Sequence, residues 1–247
     1  MRKKLCFVFC LLFGGALFSQ ELTFNLPKSK YGLAVVNDPE IYKKVAQSNP
    51  ENQFLDLRQL IPEAKFDVTY AGTNNDYKRP LYESPDIFMR KPAALALAGA
   101  QKLFKEMGFG MILFDGYRPY EITILFYERT RDTNFVADPR VGSKHNRGMA
   151  IDLSLYDLKT GKPLSMPCAY DETSPKASHS YMEGDAHSLE HREALLTVME
   201  KAGFKRYPQE WWHYDFPGWE KCLVYDLRFK DIIKINRELT GKQPAPR

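Results

Sequence analysis

The chain has 247 residues, 44% of them hydrophobic and 27% charged, with a formal net charge of +4. That is enough apolar material for one sizeable core, and no internal repeat or low-complexity block divides it. With so small a basic surplus, and no basic run or nucleic-acid motif, there is no electrostatic argument for DNA or RNA as a partner.

The first residues predict a secretory signal over residues 1–19. Arg2, Lys3 and Lys4 form a basic head, the run from Leu5 to Phe18 is apolar but too short to span a bilayer comfortably, and cleavage is expected near Ser19. Cys10 follows Phe9 where a lipoprotein signal wants a small residue, which argues against lipidation. Losing Arg2, Lys3 and Lys4 takes the formal charge from +4 to +1, so the mature chain is expected to be nearly neutral, exported and periplasmic. No later apolar stretch reaches membrane length. Only Cys168 and Cys222 would survive cleavage, enough for at most one disulfide, and the sequence does not say whether they pair. Nor does it speak to oligomeric state.

Residues 20–53, polar and punctuated by Asn49-Pro50 and Asn52, read as an N-terminal arm packed on the outside. Phe66 to Tyr70 alternates like a strand, Ala93 to Met107 has helical spacing closed by Gly108, and Met111 to Phe114 reads as a buried strand entering Asp115-Gly116-Tyr117-Arg118-Pro119. A helix from Tyr120 to Thr133 is expected next. In Ile151 to Tyr156 the alternation puts Asp152, Ser154 and Tyr156 on one face and Ile151, Leu153 and Leu155 in the core. His187 to Ala202 predicts a helix, Trp211 to Phe216 a strand, residues 217–247 an extension on the domain, and residues 243–247 a loose tail. The fold class is α+β: a single domain with a small, mostly antiparallel sheet flanked by helices and a metal site at the sheet.

The chemistry concentrates in two segments, Ser143-Lys144-His145-Asn146-Arg147-Gly148-Met149-Ala150-Ile151-Asp152 and Glu210-Trp211-Trp212-His213. Two neutral imidazoles (His145, His213) and one carboxylate (Asp152) can hold Zn²⁺ tetrahedrally and leave the fourth position to water, the mark of a catalytic rather than a structural zinc. Glu210 is the spare acid. It reads as the base for that water, as a surface acid, or as a fourth ligand that would close the site. Alternation along the strand sends Glu210 and His213 in different directions unless the chain bends at Pro208-Gln209-Glu210. Arg118, after a buried strand, either faces the cleft or pairs with Asp115. His179, His187 and His191 read as packing or surface residues.

Ser-x-His-x-x-Gly-x-Ala-x-Asp, Glu-x-Trp-His and Gly-Tyr-Arg-Pro together resemble the D-alanyl-D-alanine dipeptidases of the VanX type, in a wider group with zinc D,D-carboxypeptidases and Hedgehog domains. The likeness spans residues 54–216, the expected catalytic domain. It implies one Zn²⁺ held by His145, Asp152 and His213, with Glu210 as catalytic base and Arg118 stabilising the transition state. It also implies a small dipeptide substrate, its amine received by Asp171 and Tyr70 and its carboxylate near Ser143. Taken alone, Asp171 also reads as a turn residue, Tyr70 as strand core and Ser143 as a loop cap. The implied role lies in cell-wall turnover, nutrient recovery or glycopeptide resistance. Two other readings stay open: a D,D-carboxypeptidase trimming peptidoglycan stems, and a Hedgehog-like module in which zinc orders a binding surface.

Overall fold

The computed structural model describes residues 24–131 and 136–241. The expected signal segment and the tail from residue 243 lie outside them. In chain order the elements are β1 (Val35–Val36), α1 (Pro39–Ser48), β2 (Phe54–Asp56), α2 (Leu57–Leu60), β3 (Lys65–Phe66), β4 (Phe88–Arg90), α3 (Lys91–Glu106) and β5 (Phe109–Asp115). There follow α4 (Tyr120–Thr130), β6 (Ala150–Asp157), α5 (Ala186–Lys201), β7 (Lys205–Tyr207), β8 (Glu210–Asp215), β9 (Val224–Tyr225) and α6 (Phe229–Thr240).

The main sheet has five strands in the order β3-β5-β6-β8-β7, antiparallel except for the parallel β3–β5 pair. Helices flank it, as expected for the α+β class. Helices α3 and α5 pack on each other and against the sheet. Strand β6 runs between β5 and β8. Ile151, Leu153 and Leu155 are wholly enclosed there, and Asp152, Ser154 and Tyr156 on the opposite face are nearly so. The alternation is thus as expected, but the polar face is roofed over instead of wetted. Among the described residues no helix is long and apolar enough to cross a membrane. Cys168 and Cys222 are both free thiols.

Two elements differ from their sequence reading. The stretch read as an outer arm carries β1 and α1, and Val36 and Tyr42 are completely buried. β1 pairs in parallel with β9, and the Tyr42 hydroxyl reaches Asn236 on α6 at 3.1 Å, so this segment closes the domain against its C-terminal end. The second difference is the strand expected through Tyr70. It stops at Phe66, because the chain turns into a 3-10 turn over Thr69–Ala71.

Candidate metal centre and active cleft

Three elements bring the histidines and the aspartate together. His145 opens a 3-10 turn, His145–Arg147, that ends at Gly148 with φ +65°. A Cβ there would fall 2.2 Å from the Phe54 ring and 2.9 Å from the Arg90 amide, so the position needs glycine both for its backbone conformation and for close approach. Asp152 on β6 and His213 on β8 are direct cross-strand partners, which places their side chains side by side. All three residues are buried.

Nε2 of His145 lies 3.1 Å from Nδ1 of His213, and Oδ1 of Asp152 lies 2.9 Å from the latter and 3.4 Å from the former. A tetrahedral ion with ligand bonds of about 2.0 Å separates its ligands by about 3.3 Å, so this triangle has the dimensions of one face of such a site. The outer nitrogens fix the tautomers. His145 Nδ1 lies 2.7 Å from the Gly116 carbonyl, which can only accept, so that nitrogen carries the hydrogen and leaves Nε2 bare. His213 Nε2 lies 2.8 Å from Oδ1 of Asp215, which leaves Nδ1 pointing at the cluster. Three electron-rich atoms then face one another, an arrangement that a cation or a proton resolves. Although burial opposes charge on His213, its hydrogen bonds to Asp152 and Asp215 push it up to about 10. Burial likewise opposes charge on Asp152, but the two imidazoles hold its carboxyl well below the ordinary carboxylate range. A proton and a divalent cation would therefore compete for the same corner.

Glu210 stands beside this cluster and not in it: its Oε2 is 3.8 Å from His213 Nδ1. As the first residue of β8, just beyond the Pro208-Gln209 turn, it escapes the alternation that would have aimed it away. Burial pushes its carboxyl up to about 7, where a group can take up and release a proton near neutrality.

The sequence offered Arg118 either a partner or a cleft, and it has both. Its Nε and Nη2 grip Oδ2 of Asp115 at 2.9 and 2.6 Å, and Nη2 lies 3.9 Å from Oδ2 of Asp152. Asp115 is wholly buried and also accepts from the Tyr82 hydroxyl at 2.7 Å. The guanidinium rests over the rings of Phe126 and Tyr70. It is held on every side yet lines the cleft.

The 3-10 turn after β3 buries the Tyr70 ring and sends its hydroxyl to Oδ2 of Asp171 at 2.9 Å. Asp171 takes a left-handed backbone, φ +64°, consistent with a turn. By surface area it remains exposed at the cleft mouth, yet the surrounding walls crowd its carboxylate enough to push it up to about 6. Ser143 lines the same cleft, and its Oγ caps the His145 amide at 3.2 Å. The cleft has a volume of about 690 Å³ and takes in all eight residues singled out from the sequence.

Several neighbours were not legible as functional. Tyr170 donates to Oδ2 of Asp152 at 3.0 Å while its ring stacks on Phe114. Lys144 and Asp215 form an ion pair at 2.5 Å beside His213. Asp215 carried a readable signal: two residues after His213 on a strand, it must share that residue's face.

The D-Ala-D-Ala dipeptidase family, Peptidase_M15, matches residues 50–235. The chain belongs to this family. It is thus a metallopeptidase, and the match runs through β9 and into α6. A D-alanyl-D-alanine dipeptidase of Escherichia coli K12 is 30% identical over 166 residues, covering 67% of this chain and 85% of that protein. One from Enterococcus faecalis is 32% identical over 184 residues, covering 66% and 91%. Among solved structures, the chain is similar to the LdcB LD-carboxypeptidase at 18% identity, with a TM-score of 0.41 over 87% of this chain and 89% of that one. So loose a superposition adds nothing to the family assignment.

Proposed function

We propose that this protein is an exported zinc dipeptidase that hydrolyses D-alanyl-D-alanine to free alanine. One observation carries the reading: two imidazole nitrogens and a carboxylate oxygen 2.9–3.4 Å apart, with the acid of Glu210 next to them and outside them. The family match and the names of the E. coli and E. faecalis relatives support the choice of substrate. The donor set of two nitrogens and one oxygen supports zinc over harder ions, which prefer oxygen alone. The basic head and apolar run at the N-terminus support export, and a periplasmic dipeptidase would meet the products of cell-wall turnover.

His145, Asp152 and His213 would hold the ion, which supplies Lewis-acid polarisation of the scissile carbonyl and acidifies water. Glu210 takes the proton from the attacking water and returns it to the departing amine. Arg118, pinned by Asp115, presents its positive edge to the oxygen on which charge develops, and the barrier falls because that interaction strengthens as the reaction proceeds. Asp171 and Tyr70 receive the substrate's ammonium, and Ser143 lies toward its carboxylate. Burial of Tyr70 and Ser143 shields their polar contacts from water and raises their strength, while Asp171 stands at the open mouth of the cleft.

The test is incubation of the zinc-loaded protein with D-Ala-D-Ala, L-Ala-D-Ala, L-Ala-L-Ala and N-acetyl-D-Ala-D-Ala, read by release of free alanine. Release from D-Ala-D-Ala alone is expected. Equal cleavage of the N-acetylated peptide would replace the dipeptidase reading with that of a carboxypeptidase. No chelator-sensitive release from any of the four would remove the peptidase reading and favour a zinc-ordered binding surface.

A further inference from the structure

The mechanism leaves unused a half-buried ion pair against the outer edge of His213. Asp215 is the last residue of β8, paired through its backbone with Ala150 of β6 and Lys205 of β7, so the strand on either side fixes where its carboxylate sits. One oxygen receives His213 Nε2 at 2.8 Å, and the other receives the Lys144 ammonium at 2.5 Å. The lysine is itself confined, 5.5 Å from the Tyr207 ring centre and 5.3 Å from that of Trp219. Asp215 is only 8% exposed while the Lys144 side chain keeps 27% of its surface, so the pair is partly shielded from the screening that makes surface ion pairs weak.

Sequence position makes the pair more than a local contact. Lys144 immediately precedes His145, and Asp215 lies two residues after His213. Their bond therefore fastens the turn that carries one ligand to the strand that carries another. It also orients the imidazole of His213: a carboxylate on Nε2 demands hydrogen there, which makes Nδ1, facing Asp152 and His145, the nitrogen available to an ion. Lys144 balances the charge that Asp215 would otherwise hold in a buried place, across the His213 ring from Asp152.

We propose that Asp215, balanced by Lys144, is a positioning residue that presets the rotamer of His213 and preassembles the metal centre before the ion arrives. This rests on the metal reading above. The experiment measures zinc affinity by competition with a chromogenic chelator, and the visible absorption of the cobalt-loaded form, for the parent and for Asp215→Ala, Asp215→Asn and Lys144→Met. Circular dichroism checks that each is folded. The parent is expected to bind one zinc. Asp215→Ala should bind it roughly 10- to 100-fold more weakly, the range for loss of an outer carboxylate on a ligating histidine. Asp215→Asn, which keeps an acceptor but loses the charge, and Lys144→Met should weaken binding by smaller factors, and the cobalt spectrum should shift in both Asp215 variants. Affinity within threefold of the parent in the Asp215 variants, with an unmoved cobalt spectrum, would overturn the proposal while leaving the metal reading intact. Should Asp215→Ala fail to fold, unchanged affinity and spectrum in the other two overturn it equally. A parent that binds no zinc removes the metal reading itself, and this inference with it.

Discussion

Oε2 of Glu210 lies 3.8 Å from Nδ1 of His213, close enough to serve a water at the metal corner while standing outside the cluster of three donors. Replacing the acid by its amide keeps the shape and removes the base. Glu210→Gln is expected to retain one zinc per chain and to lose about 10²- to 10⁴-fold in kcat. Metal analysis alongside a D-Ala-D-Ala assay checks both halves; loss of the ion in this variant would make Glu210 a ligand.

The raised carboxyl of Glu210 gives a pH signature in the metal-free protein. Burial in the fold pushes it up to about 7 from the ordinary 4.5, so the folded state holds this proton more tightly than the unfolded chain. Ionising it in place costs stability, a cost absent below the unfolded value and complete above about 7, worth about 3 kcal/mol at most. Metal-free Glu210→Gln should therefore melt higher than the metal-free parent at pH 8, with the advantage gone near pH 4. In the loaded enzyme a nearby cation draws the value down, so the acid limb of kcat/KM should lie at or below about 7.

Removing Arg118 should have two separable effects. Arg118→Ala is expected to lower kcat by about 10²- to 10³-fold, the usual loss for one donor to a developing oxyanion. It also strips wholly buried Asp115 of its countercharge, costing about 3–5 kcal/mol in denaturant unfolding. Adding Asp115→Asn should recover much of that stability and none of the activity. If single and double variants unfold alike, the pair is not what holds this arginine.

Asp171→Asn and Tyr70→Phe should raise KM for D-Ala-D-Ala more than they lower kcat. A charge-assisted hydrogen bond to an ammonium is worth about 1.5–3 kcal/mol, which converts to about 10- to 100-fold. Steady-state kinetics on both variants decide it. A fall in kcat at constant KM would place these groups at the reacting bond instead of the amine.

Gly148→Ala combines a left-handed backbone with a 2.2 Å clash against the Phe54 ring. The expected cost is about 2–5 kcal/mol in thermal or denaturant unfolding, together with weaker metal binding because the same turn carries His145.

Much of this site was written in local pattern. The spacing of His145, Gly148 and Asp152, the Glu210-to-His213 run and the arginine after a buried strand were legible because each is a short segment whose residue types suit few purposes together. Helix α1 was missed although its signals were present: Asp38 accepts from the Glu40 amide as an N-cap, and Pro39 sits in the first turn. The loop punctuation of Asn49-Pro50 and Asn52 outweighs, in the sequence, the apolar stripe of Tyr42, Val45 and Ala46.

Local pattern is enough to pick out the side chains able to bind a cation, the acid left spare and the alternation of β6. That Asp152 faces His213 across a strand pair, that Arg118 leans on Asp115 and that Lys144 meets Asp215 emerge with the fold alone. The reason is physical: a strand or turn fixes directions only over a few residues, whereas separations between distant segments follow from strand register and core packing, which are properties of the whole folded chain.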